Sequence, residues 1–266
     1  MPEGHVVHRQ AKAITKLLGK QIVTVDSPQG RFTESAREVS GSTLVNARAH
    51  GKHLFIGFEG ERFIHVHLGL YGKWSFHQET PEPVGLIRLR LIGESSTAEL
   101  RGPTACALLT AHEKKAILAR TGPDPISGDN SVVTHEAVLR SNSTIGSLLM
   151  DQKLYAGVGN IYRAEVLFRH GINPMTRGKD LDRETLDLIW ADLRVLMKHG
   201  VRTGRIDTVR PEHEPAAMKR APREDRHGGE VYVYRRDGQA CLVCGAEVMV
   251  TDLQGRHLFW CPHCQT

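Results

Sequence analysis

The 266-residue chain has no run of about 18 consecutive apolar residues, so no membrane-spanning helix is expected. Its first residues lack the apolar stretch of a secretory signal, and a cytoplasmic protein is expected. No internal repeat is present, which removes solenoid and propeller architectures. Cysteine is scarce until the end. Cys106 stands alone, and the other four of the five fall within the last 26 residues. In a cytosolic protein such crowding points to a metal rather than to disulfides. Excess charge is also small: 35 Lys and Arg against 30 Asp and Glu give +5. That balance is compatible with a nucleic-acid partner without requiring one.

What is present falls into three zones. Val7, Ala11, Ile14 and Leu18 recur every three or four residues, which predicts a helix over 5–18 stopped by Gly19. From Gln21 to about Thr110 the chain reads as short strands broken by Gly and charged turns, at 21–25, 42–49, 53–58, 62–68 and 86–91. This pattern predicts a β-sandwich. His65 and His67 share a strand face without a third ligand, and a structural role is expected for them. Thr121-Gly122-Pro123-Asp124-Pro125 continues neither a helix nor a central strand, and a domain linker is placed there.

Beyond it the period becomes helical. Short helices are expected from His135 to Leu139 and, capped by Ser143, through Ile145, Leu148, Leu149 and Gln152. The clearest helix spans 182–199, with a buried stripe of Leu186, Ile189, Trp190, Leu193, Leu196 and Met197 and a stop at Gly200. Residues 201–229 lack periodicity and are rich in Arg, Glu, Pro and His, which predicts poor order without a ligand. Strand character returns at Val231-Tyr232-Val233-Tyr234. The expected division is 1–121, 122–228 and 229–266.

Four features carry chemistry. Cys241-x-x-Cys244 and Cys261-x-x-Cys264, 16 residues apart, place four thiolates on one tetrahedral Zn²⁺. Four protein ligands close the site, so the zinc is structural, and so short a segment needs it to fold. The residues between the pairs can form a hairpin with Gly255 at its tip, where Arg256 is either a solvated surface side chain or a planar fork suited to phosphate. Gly157-Val158-Gly159-Asn160 precedes a helix expected over 161–169, where backbone N–H groups and Asn160 could face a phosphate. Pro2-Glu3 lies at the start of the first helix. With Met1 trimmed, Pro2 would present a secondary amine titrating near about 8, competent to attack an electrophilic carbon. A helix N-terminus disfavours an ammonium and favours a carboxylate, which suits a neutral amine beside a charged Glu3. Lys52, at a strand turn after Gly51, and Leu70-Tyr71, in a glycine-flanked loop, are inconspicuous alone.

Taken together, these segments resemble one family. Met1-Pro2-Glu3-Gly4, Gly51-Lys52-His53-Leu54-Phe55, His67-Leu68-Gly69-Leu70-Tyr71-Gly72, Gly122-Pro123-Asp124-Pro125, Leu148-Leu149-Met150-Asp151-Gln152, Ala156-Gly157-Val158-Gly159-Asn160-Ile161-Tyr162 and the cysteine pairs stand in the order of the formamidopyrimidine-DNA glycosylase/endonuclease VIII family. The resemblance implies an α+β multidomain fold: an N-terminal β-sandwich with a terminal helix, a helix–two-turns–helix domain and a C-terminal zinc-finger β-hairpin, with DNA between the halves. It implies a bifunctional DNA glycosylase and AP lyase acting on damaged DNA as a nucleoid-associated monomer.

By the same resemblance Pro2 is the nucleophile and Glu3 the acid/base. Lys52 assists β-elimination and Arg256 δ-elimination. Arg120 and Asn160 contact DNA, and Leu70 and Tyr71 fill the void left by an extruded nucleotide. Pro-Glu-Gly and Leu70-Tyr71-Gly72 are similar to the endonuclease VIII branch, which acts on oxidised pyrimidines. Leu68-Gly69 is similar to the oxidised-purine branch, which remains an alternative, as does a non-catalytic damaged-DNA binder. His5-Val6 departs from the Pro-Glu usual in both branches. The stretch His5-Val6-Val7-His8-Arg9 looks most like actinobacterial members.

Overall fold

The computed structural model describes residues 2–224 and 229–266. The chain separates into two compact units, Met1–Thr121 and Gly122–Thr266.

The first unit opens with α1 (Gly4–Leu18), whose inner face carries Val7, Ala11, Ile14 and Leu18. The helix docks on the sheet through Thr15, whose hydroxyl donates to the Ala47 carbonyl and accepts from the Ala47 N–H. β1 (Gln21–Asp26) is followed by a short α2 (Thr33–Val39), then β2 (Ser42–His50), β3 (His53–Phe58), β4 (Arg62–His67), β5 (Lys73–His77), β6 (Ile87–Ile92), β7 (Thr97–Arg101) and β8 (Ala105–Leu109). All neighbouring strands pair antiparallel in the order β5-β7-β6-β1-β2-β3-β4-β8. β1 joins the two halves, since Gln21–Val23 pair with β2 and Thr24–Asp26 with β6. Leu54, Ile56, Ile64 and Val66 from one half share a core with Leu89, Leu91 and Leu100 from the other, as a sandwich requires. The strand reading missed α2. It also missed α3 (Ala111–Leu118), although Thr110 and Glu113 spell out a complete capping box at its start.

The second unit contains α4 (Val132–Leu139), α5 (Ile145–Leu148), α6 (Asn160–Arg169) and α7 (Arg183–Thr203), then the hairpin β9 (Met249–Asp252) and β10 (His257–Trp260). One core includes Tyr155, Tyr162, Leu193 and Met197 together with Val231, Val233, Val248 and Phe259. The helices and the hairpin are therefore packed on one another. Three local expectations are corrected. Thr144, not Ser143, caps α5, accepting from the Ser147 N–H. Gly200 lies buried inside α7, and the helix ends at Gly204, which takes the left-handed conformation at φ 79° that a glycine tolerates. Val231–Tyr234 forms no strand. Its N–H groups go to a side chain: Glu165 of α6, fully buried, accepts from Tyr232 at 2.7 Å, Val233 at 2.9 Å and Tyr234 at 2.8 Å. A carboxylate so placed does the work of a partner strand.

Residues 201–224 are likewise more tied down than their composition suggests. Thr208 donates its hydroxyl to Glu165 at 2.6 Å, Arg210 N–H donates to the Tyr232 hydroxyl at 2.9 Å, and Arg220 pairs with Glu230 at 2.7 Å. Residues 225–228, part of the segment expected to be poorly ordered, lie outside the described residues.

Glu165→Ala would leave three buried N–H groups without an acceptor. At about 1–3 kcal/mol each, the loss should reach at least about 3 kcal/mol. Urea denaturation measures it, and a midpoint equal to wild type would contradict this assignment.

Candidate active site and nucleic-acid interface

In the first unit Pro2 is half-buried and Glu3 is the N-cap of α1, 3% exposed, with its carbonyl accepting from the Val6 N–H at 3.0 Å. Pro2 and the Glu3 carboxylate therefore stand at the positive end of a 15-residue helix dipole. His5 follows on the buried face. Burial above all, and then the charge of Arg9, push its imidazole down to about 4, so it is neutral at cellular pH.

Lys52 occupies the β2–β3 turn, where Gly51 adopts φ 56°. Beside it the sheet carries a group of imidazoles. His53 pairs across strands with His67, and its Nδ1 lies 3.0 Å from Nε2 of His65. Burial and the neighbouring imidazoles push His53 down to about 4. Burial and His67 do the same to His65. His67 is lowered by burial and by the charge of Lys52, and Arg120 adds to the lowering at His53. The structure thus brings Lys52 and Arg120 to the same group of neutral imidazoles. Reading His65 and His67 as a pair missed the third member, which becomes visible only when β3 is laid against β4. Arg120 itself is exposed past the end of α3, its Nε donating to the Ala116 carbonyl at 3.2 Å. Cys106, whose thiol burial pushes up to about 12, is chemically quiet. Leu70 and Tyr71 project from the β4–β5 connection, 56% and 85% exposed.

In the second unit the Gly-rich turn and the zinc hairpin meet. Asn160 Nδ2 donates to the His257 carbonyl at 2.8 Å, next to Arg256. Arg163, only 1% exposed, donates to the same carbonyl at 3.2 Å and to the Asn160 side-chain oxygen. Arg163 and Glu165 were missed by sequence reasoning. The available signal was a pair of charged residues inside the run Ile161–Phe168, whose other members are apolar or aromatic, where burial demands a partner. The turn also consumes one donor expected to face a phosphate, since the Gly157 N–H donates to Gln152 Oε1 at 3.1 Å. Arg256 ends a two-residue hairpin loop in which Gln254 and Gly255 both have positive φ, 55° and 71°. Cross-loop bonds join Leu253 and Arg256. Arg256 lines a recess of about 400 Å³ with Ser143, Ser147, Asp151 and Gln254. A guanidinium and two hydroxyls suit a phosphate there, and Asp151 opposes it.

The four cysteine sulfurs lie within 4.8 Å of one another. Cys241 and Cys264 Sγ are 3.9 Å apart, and Cys244 and Cys261 Sγ 3.5 Å. Zinc–sulfur bonds of 2.3 Å in a tetrahedron require sulfur separations of about 3.8 Å. The donors fit Zn²⁺, and with four of them the metal is structural.

Two sequence profiles match: the formamidopyrimidine-DNA glycosylase N-terminal domain over residues 1–102 and the formamidopyrimidine-DNA glycosylase H2TH domain over 121–211. "Endonuclease 8 1" of Mycobacterium tuberculosis is 44% identical over 272 residues, covering all of both chains. The chain belongs to the formamidopyrimidine-DNA glycosylase/endonuclease VIII family. "Endonuclease 8" of Salmonella paratyphi A is 28% identical, again over both full lengths. Among solved structures, Lactococcus lactis Fpg in complex with abasic-site DNA superposes with a TM-score of 0.82 over 99% of each chain at 20% identity. That likeness speaks to the fold. No helix among the described residues is long and apolar enough to cross a membrane.

Elemental analysis should find one zinc per chain. Strong chelation should lower the melting temperature through loss of the hairpin, whereas a chain without zinc and unmoved by chelators would contradict the four-thiolate assignment.

Proposed function

We propose that the chain, a bifunctional DNA glycosylase and AP lyase for oxidised pyrimidines, uses the Pro2 amine as its nucleophile once Met1 has been removed. The observation that carries this reading is the placement of Pro2 and a buried Glu3 together at the N-terminus of α1. Pro2 attacks C1′ of the damaged nucleotide, the N-glycosidic bond breaks, and the base leaves with its bonding electrons. Glu3 exchanges the protons that ring opening requires. The product is an iminium between Pro2 and the opened sugar. Removal of a C2′ proton then expels the 3′ phosphate, and a second elimination expels the 5′ phosphate.

Lys52 and Arg120 in the first unit and Arg256 in the second supply positive charge to DNA phosphates, and Asn160 adds an uncharged amide donor. Arg256 acts on the second elimination. Leu70 and Tyr71 fill the gap left by the everted nucleotide, as apolar wedges do elsewhere. Damaged DNA is the partner. The protein works as a cytoplasmic, nucleoid-associated monomer. The identity of 44% to a full-length endonuclease 8 supports the pyrimidine branch, and Leu70-Tyr71 agrees with it.

Single-turnover assays on a duplex bearing 5-hydroxyuracil test the reading. A version with a residue fused ahead of Pro2 should lose both excision and strand cleavage. Arg256→Ala should retain the first elimination and slow the second about tenfold, the scale of one lost charge-assisted hydrogen bond. Full activity in the N-terminally extended protein would overturn the assignment of Pro2.

A further inference from the structure

The Leu70-Tyr71 tip owes its shape to a mismatch in chain length. His67 of β4 pairs with Ala105 of β8, and Lys73 of β5 pairs with Arg101 of β7. Between these pairings five residues, 68–72, face three, 102–104. Two residues have no counterpart and must leave the sheet. Leu68 turns inward, 3% exposed, and Leu70 and Tyr71 go outward. The loop closes where the Gly72 N–H donates to the Leu68 carbonyl at 3.0 Å. A Cβ on Gly72 would lie 2.4 Å from that same oxygen, so only glycine fits.

The shorter segment touches the bulge along its length. The Thr104 N–H donates to the His67 carbonyl at 2.9 Å. The Thr104 hydroxyl stands in the space that a Cβ on Gly69 would need, 1.7 Å from that position. A Cβ on Gly102 would lie 3.2 Å from the Tyr71 carbonyl oxygen. Gly69 and Gly102 both have positive φ, 64° and 58°.

Glycines permit this path but do not enforce it, because they widen the conformations open to the backbone. The hydrophobic effect also favours folding Leu70 back onto the protein's own surface. Something must hold the tip out. A β-branched side chain with few rotamers is well suited to that task, and Thr104 is the one in contact. We propose that Thr104 is a positioning residue that, packed on the bare Cα of Gly69, keeps Leu70 and Tyr71 projecting before DNA arrives. The inference rests on the reading of Leu70 and Tyr71 as void-filling residues. Thr104 is itself exposed, so its replacement leaves the core untouched.

The test compares single-turnover excision of 5-hydroxyuracil from a duplex with cleavage at a preformed abasic site, where no base has to be unstacked. Thr104→Gly should excise at least ten times more slowly, cleave the abasic site within a factor of two of wild type, and melt at the wild-type temperature. Thr104→Val, of the same shape, should restore excision. Gly69→Ala should lose excision, and combining it with Thr104→Gly should recover part of it, since the space is then free though φ stays strained. Unchanged excision in Thr104→Gly, or equal losses on both substrates, would overturn the brace while leaving the glycosylase reading intact. A wild-type protein inactive on both substrates would sink that reading, and the brace with it.

Discussion

One buried carboxylate organises the second unit. Glu165 takes the N–H groups of three successive residues, 232–234, and the hydroxyl of Thr208, and so fastens two otherwise irregular segments to α6. Its charge also offsets part of the burial cost of Arg236, whose guanidinium in turn donates to the Tyr232 and Ala240 carbonyls. Two residues earlier on the same helix, Arg163 joins the start of α6 to the carbonyl of His257. The hairpin that carries Arg256 is therefore tied to α6 through Arg163. Removing one partner from such a network costs more than the network contributes, because the other is left buried and unpaired.

How much of this could be read from the chain depended on the range of the interaction. The cysteine spacing implies its own geometry, and four sulfurs do converge. The stripe of α1 appeared as its period required. Val231–Tyr234 failed because strand propensity reports what a backbone favours and not where its donors go. Nothing local announces that a glutamate some 67 residues earlier will accept them. Gly200 failed because a buried glycine inside a long helix has the same sequence signature as a stop. The capping box at Thr110 was legible and was overlooked beneath the strand pattern.

The candidate site shows the same division. The proposal of Pro2, Glu3, Lys52 and Arg256 comes from motifs and their order. The imidazole group around His53 needs the β3–β4 register, and the Leu70-Tyr71 bulge needs the pairings on either side of it. Burial first, and then the neighbouring imidazoles, hold His53 and His65 neutral in their present setting. The fixed positive charge beside them therefore rests with Lys52 and Arg120.

The account stands or falls on which atom forms the covalent bond. The protein would be mixed with a duplex carrying an abasic site, reduced with borohydride, digested with trypsin and mapped by mass spectrometry. The account predicts the reduced sugar remnant on the peptide spanning residues 2–9, attached at the Pro2 nitrogen. A remnant on Lys52 or any other lysine, with that peptide recovered unmodified, would contradict it.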